Sequence, residues 1–241
     1  MTEVELRRHI FEMVGQEVDR VQPPFADVAI PLHPDSPIDY EAVRSEQYEA
    51  HLGKSDYIYH PSVGAPHIDV ERFPPNADRP FWVYLTNGMS DFPQILPDGE
   101  LFRSELMLCS TNENVWFAEL LKLLGEFPFD RGTFLYYNHT IPLPSPRPDS
   151  VRAFGAIIPP FLFERFAEVM LGKDAVAILS VISVAEDEVA FAKDNSTREL
   201  IESLPDQMDT ALIYRWPESS DASSINATSH PVGIRFRPTT F

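Results

Sequence analysis

A single cysteine, Cys109, stands among 241 residues, so no internal disulfide can form, and no grouping of Cys and His has the spacing of a structural zinc site. Neither staple holds this fold, and stability has to come from packing. Basic residues are scarce as well: 19 Lys and Arg face 37 Asp and Glu, a net charge of −18. A surface of that sign repels phosphate backbones and anionic bilayers, which disfavours nucleic-acid and membrane partners. It steers a basic protein inward, although plain solubility also accounts for it. Long apolar runs are missing. None approaches the roughly 18 residues of a spanning helix, and the N-terminal MTEVELRRHI lacks the apolar stretch of a signal peptide, so a cytoplasmic location is expected. No glycine-rich phosphate loop of the P-loop or dinucleotide type occurs, and nucleotide chemistry has no support.

What the chain does contain is core-forming material, 44% hydrophobic, and 23 prolines, close to twice the roughly 5% average. The prolines gather at residues 23–37, 61–97 and 142–148 and punctuate the elements, because proline removes a backbone donor and disfavours helix in the residue before it.

Val4, Ile10, Phe11, Val14 and Val18 predict an amphipathic N-terminal helix, followed by a proline-rich lead-in to residue 38. Asp39 to Leu52 is helical in composition and polar enough for the surface, with Ile38 and Val43 as core contacts. From Tyr57 the period changes to two, and four strands are expected at Tyr57–His60, His67–Arg72, Phe81–Thr86 and Phe102–Cys109, arranged as a meander with a turn at Asn87-Gly88. A helix capped by Asn112 or Asn114 follows and ends before Gly125 and Pro128. Thr133–Thr140 and Val151–Ile158 read as strands and Phe161–Leu171 as a helix closed by Gly172. Ala175–Val184 is almost wholly apolar and β-branched, which suits a strand covered on both faces, and is taken as the central strand. Glu186–Lys193 and Thr197–Leu204 read as short helices, the second with a Ser196/Glu199 capping box, and Asp209–Trp216 as a last strand. Residues 217–241 carry too little apolar content to fold alone and are expected to form a flexible tail. Trp82 and Trp116, in regularly spaced apolar segments, are read as core.

Few residues suggest chemistry. His67, Asp69 and Glu71 share one strand face and are potential metal ligands or acid–base groups. Same-face neighbours stand roughly 7 Å apart, wide for one zinc ion, so a polar solvent face is expected and no metal or cofactor. Gly88-Met89-Ser90-Asp91 lacks the second glycine of a nucleophile elbow and reads as a turn. Cys109 and His139 are the only thiol and imidazole that could pair, and a buried thiol with a hydrogen-bonded histidine is the simpler reading. Arg103 and Glu105 share a strand face, either as a cross-strand ion pair or as a polar groove for a partner.

Taken in order, HIDVERFPP and RPFWVYLTNGMSD within residues 67–91, RSELML at 103–108, W-x-x-x-L-x-x-L from Trp116, the His139 segment, AVAILSVISVAEDEVAFA at 175–192, TRELIESLP and MDTALIYRW resemble the Suppressor of fused domain family. Asp209 and Arg215 resemble its closing Asp and Arg. The resemblance covers residues 40–216 and implies an α+β fold, a mixed, largely antiparallel central sheet flanked by helices. It also implies a protein that binds other proteins and catalyses nothing. In animals such proteins hold a transcription factor between two domains, its peptide added as a β-strand; here about 25 residues follow residue 216, so that clamp is not expected. Short bacterial relatives include immunity proteins that neutralise toxins, and a basic toxin would suit the acidic surface. The expected organisation is therefore a lead-in at 1–38, the domain at 39–216 and a tail at 217–241. Expected partner contacts are Asp69, Asp91, Arg103 and Glu105, chosen for strand-face and turn positions. A metal-dependent hydrolase using His67, Asp69, Glu71 or His139 is the competing reading, and a regulatory subunit of a cytoplasmic complex a third.

Overall fold

The computed structural model describes residues 39–60, 66–143, 154–160, 163 and 166–203. The expected N-terminal helix, the strand at 209–216 and the tail lie outside them. β10 (Asp174–Val184) organises the sheet, as its largely apolar sequence predicts. It pairs antiparallel with β9 (Glu168–Leu171) over its first residues, parallel with β6 (Ser104–Ser110) at Ala177–Ser180, and antiparallel with β8 (Phe154–Ile158) from Ser180 on. The sheet runs β1 (Tyr57–Tyr59), β2 (Asp69–Phe73), β3 (Trp82–Asn87), β6, β10, β8 and β7 (Thr140–Pro142), with β9 beside β10. Among the described residues only the β6–β10 pairing is parallel, so the sheet is mixed and largely antiparallel. β1, β2, β3 and β6 form the predicted meander, with a two-stranded ribbon of β4 (Gln94–Ile95) and β5 (Leu101–Phe102) inserted before β6.

Side-chain alternation sorts the sheet into two buried faces. Val70, Tyr84, Leu106, Leu179 and Val181 pack under α2 (Val115–Arg131), while Phe73, Val83, Leu85, Met107 and Ile178 pack with α1 (Tyr40–Leu52). Farther along, Ile158, Ile182 and Val184 meet Val189 of α3 (Glu186–Asp194) and Leu200 of α4 (Thr197–Ser203). Local signals set the helix starts: Asn114 Oδ1 accepts from Trp116 N, Ser196 Oγ accepts from Glu199 N, and the Glu188 carboxylate accepts from Ala185 N.

Four expectations are corrected. α2 continues through Gly125 and Pro128 to Arg131. Gly125 lies where the helix meets the sheet most closely, since a Cβ there would stand 3.1 Å from Ile68 Cδ1. Pro128 falls in the final turn, which Gly132 closes in the left-handed region at φ 59°. The segment predicted as helix at 161–171 ends instead in β9, whose residues alternate exposed and buried, and Gly172 at φ 65° turns the chain into β10. Residues 133–139 do not form a strand: 133–136 are irregular, Tyr137 and Asn138 turn with Asn138 at φ 69°, and the strand begins at Thr140. Trp82 and Trp116 are half-buried at the rim of the α2 face, and the Arg72 guanidinium covers Trp82 at 4.9 Å from the ring centroid.

Leu106, fully buried beneath α2, tests the packing of that face. Leu106→Ala is expected to lower unfolding stability by about 2–5 kcal/mol, read from urea denaturation at constant m-value; a change below about 1 kcal/mol would contradict this placement.

Candidate functional site

Beneath α1 the apolar core gives way to a buried polar cluster. Glu71 of β2, Asn87 of β3 and Glu105 of β6 fall on the same face as Leu85 and Met107, and α1 lays Arg44, Ser45 and Tyr48 over them. Arg44 is wholly shielded from solvent. Its Nε donates to Asn87 Oδ1, and its Nη1 donates to Ser90 Oγ at 3.1 Å and to Asp91 Oδ1 at 2.6 Å. Glu105 Oε1 lies 3.7 Å from Arg44 Nε. Asn87 Nδ2 in turn donates to Glu71 Oε1 at 2.6 Å, which also accepts from Ser45 Oγ.

Glu105 is the acceptor at the centre. Its Oε1 takes the N–H groups of Gly88 (3.1 Å) and Ser90 (2.9 Å) and the Ser90 hydroxyl (2.6 Å), while Oε2 takes the Thr86 hydroxyl (2.6 Å). Thr86 Oγ1 meanwhile accepts Leu106 N–H, and Tyr48 donates its phenol to the Thr86 carbonyl. Burial pushes the Glu105 carboxyl above its ordinary range, against the opposing pull of Arg44 and of the Ser90 and Thr86 donors. Burial likewise raises Glu71, opposed by Ser45 and Asn87. For Arg44, burial works against the charge, but Glu105, Tyr48 and Asp91 outweigh it and hold the guanidinium protonated.

The short 3₁₀ turn Met89–Asp91 is gripped from every side. Glu105 holds its amides, Arg44 its Ser90 and Asp91 side chains, and Arg103 Nη1 donates to the Ser90 and Asp91 carbonyls at 2.6 and 3.0 Å. Gly88 is obligatory here. At φ 129° it lies where side chains are strained, and a Cβ would come within 2.3 Å of the His67 carbonyl oxygen.

The four residues expected to touch a partner thus have different surroundings. Asp91 keeps 39% of its side chain exposed and Arg103 is half-buried, whereas Glu105 is fully buried and Asp69 nearly so. In place of a cross-strand ion pair, Arg103 turns to backbone carbonyls and Glu105 faces Arg44. The polar solvent face expected for His67, Asp69 and Glu71 is corrected for the two acids: both are buried, Glu71 beneath Ser45 of α1, while His67 stays exposed. Glu71 joins Ser45 and Asn87, while Asp69 stays with His67, whose Nε2 lies 3.1 Å from Asp69 Oδ1. His60, which sequence reasoning missed, brings Nδ1 to 3.0 Å from Asp69 Oδ2. The β1–β2 register predicts this once known, since Tyr59 faces Val70 and the next step sets His60 against Asp69. Arg44 was missed because a guanidinium on a polar helix carries no mark of burial.

Cys109 packs in the α1-face core, where burial pushes its thiol up to about 12, so it stays protonated near neutral pH. His139 lies against the Phe134 ring with centroids 5.0 Å apart, and burial lowers its pKa. Ser90, between Arg44 and Glu105, has its hydroxyl committed to the network.

A mixed sheet with a helix over each face of its meander, and a buried charged cluster that holds the turn after β3, defines an α+β domain. The chain belongs to the Suppressor of fused protein family, whose model matches residues 64–214, more than half of its length. Among solved structures it is similar to a protein assigned as a Suppressor of fused homolog from Neisseria gonorrhoeae FA 1090, at 19% identity over 68% of this chain and 87% of that one, TM-score 0.56. It is also similar to a chain of the Sufu–Fu complex, at 17% identity over 70% of this chain and 86% of that one, TM-score 0.53. A comparison with curated proteins finds no match.

Replacing Arg44 with Leu leaves Glu105 buried without its counter-charge and is expected to cost about 3–5 kcal/mol near neutral pH. The loss should shrink in acid. Without Arg44 the folded-state pKa of Glu105 rises still further above the unfolded value near 4.5; stability is then full below that value and drains away as pH climbs through the folded one. Denaturation of both proteins across pH 4–8 checks this, and a penalty independent of pH would contradict it.

Proposed function

We propose that this chain is a noncatalytic protein-binding domain whose partner is a basic protein, in the manner of an immunity protein masking a toxin. The observation that carries the reading is the edge that β1 forms among the described strands of the sheet. There Tyr57 and Ile58 are 53% and 36% exposed, and β1 closes the strand order with β2 as its neighbour. An added strand gains main-chain hydrogen bonds along such an edge and selectivity from alternate side chains. The Arg72 guanidinium lies over the rings of Tyr57, Tyr59 and Trp82 at 5.5, 5.9 and 4.9 Å, a rigid amphipathic platform of the sort that anchors interfaces.

Two further observations support it. The fold is shared with a chain of the Sufu–Fu complex, a complex between proteins. The net charge of −18 draws a basic partner and speeds its encounter. Asp91, pinned by Arg44 with part of its carboxylate in solvent, and Arg103 beside it form a second contact area; Glu105 supports its turn from below, while Asp69 lies apart with His60 and His67.

Affinity capture with the full chain, followed by titration of the purified partner, tests the reading. A basic protein is expected, its Kd rising at least about tenfold from low to moderate salt. Ile58→Lys, at an exposed position, should weaken binding at least tenfold while leaving the melting temperature in place. Failure to recover a protein partner at low salt, or an affinity insensitive to both salt and Ile58→Lys, would overturn it.

A further inference from the structure

Asp69 is a carboxylate in an unusual position. It is 2% exposed at the start of β2, and its Oδ1 is buried without a hydrogen bond. His67 Nε2 lies 3.1 Å from that oxygen, but out of hydrogen-bonding alignment. On its other oxygen stands His60 Nδ1 at 3.0 Å. A buried carboxylate left without full compensation is costly, and two imidazole nitrogens converging on it are aimed where a cation would sit.

The backbone builds this convergence. His67 and Asp69 are two residues apart on one strand face, and His60 follows β1 at the register position opposite Asp69. The one-ligand atoms of all three lie within 4.8 Å of one another. Tetrahedral ligands about 2.0–2.2 Å from zinc stand about 3.4 Å apart; each imidazole is already that near one oxygen of Asp69, His60 to Oδ2 and His67 to Oδ1, and closure of the set by about an ångström brings all three residues onto one ion. The histidine side chains are 64% and 58% exposed, which leaves an entry path and room for a water ligand.

We propose that His60 Nδ1, His67 Nε2 and the Asp69 carboxylate form a binding site for one divalent transition-metal ion of zinc-like preference, with its fourth position open to water. Two imidazoles and one carboxylate suit zinc or a neighbouring ion and disfavour calcium and magnesium, which take oxygen shells. The ion neutralises Asp69 and ties the end of β1 to the start of β2. Glu71 lies outside the site, its carboxylate held by Ser45 and Asn87.

Chelator-treated full chain titrated with zinc chloride against a chromophoric competitor tests the site. One equivalent per chain is expected, with Co(II) giving the visible bands of tetrahedral coordination. Loss of a second-shell partner alone costs 10–100-fold in affinity, so His60→Ala and His67→Ala, each removing a ligand, should weaken zinc binding by about a hundredfold. Both positions are exposed, so the fold, followed by circular dichroism, should persist; His51→Ala, on α1, should bind as the parent does. Less than one equivalent bound, or a change below tenfold in both variants, overturns the proposal. No partner protein enters the measurement, so its result is independent of the protein-binding reading.

Discussion

One buried ion pair sets the terms for the α1 face of the sheet. Arg44 and Glu105 both sit where water does not reach, and neither charge is tolerable there without the other. Their joint requirement fixes where α1 lies on the sheet, how the chain leaves β3, and how the turn after it is shaped. The carboxylate collects the amides at the start of the turn while the guanidinium collects its side chains. Apolar packing alone would hold α1 against Leu85 and Met107, but it would leave the helix free to slide or rotate. The directional bonds of Arg44 remove that freedom.

The sequence phrases that resemble the Suppressor of fused family acquire a physical meaning in this light. Asn87, Gly88, Ser90 and Asp91 of the TNGMSD phrase, Arg103 and Glu105 of RSELML, and Glu71 of HIDVERF meet in the cluster or on its turn. They read as surface candidates because charged residues usually are surface residues. The helix that hides them is itself polar, and although Arg44, Tyr48 and Leu52 recur four residues apart on one face, the charge of Arg44 disguises that face as a solvent one. Sequence patterning could see the meander, the Asn87-Gly88 turn and the apolar β10 because each is a local property. It could not see which helix would cover which face.

The misread elements follow the same division. Glu168 to Leu171 carries apolar residues that fit a helix as well as a strand, and only pairing with β10 decides between them. The end of α2 looked settled by Gly125 and Pro128, but glycine there serves a close approach to Ile68, and proline in the last turn forfeits one backbone bond, to the carbonyl four residues back, without stopping the helix short of Arg131. The pairing of His60 with Asp69 needed the register of a hairpin. Arg79 makes a similar point. It is a buried guanidinium that donates to the carbonyls of Leu52, Phe73, Pro74 and Phe81, gathering the end of α1 and both sides of the β2–β3 connection.

The placement of β10 bears on how such a chain is made. It is translated after the strands on either side of it, β6 and β8, yet its pairing joins the two halves of the sheet. Until the ribosome has delivered residues 174–184, the meander ends in an open, apolar margin at β6 that can recruit other nascent chains. Closing the gap then means inserting a late strand between early neighbours, a long-range step that slows maturation. A protein so arranged depends on whatever shields that margin during synthesis.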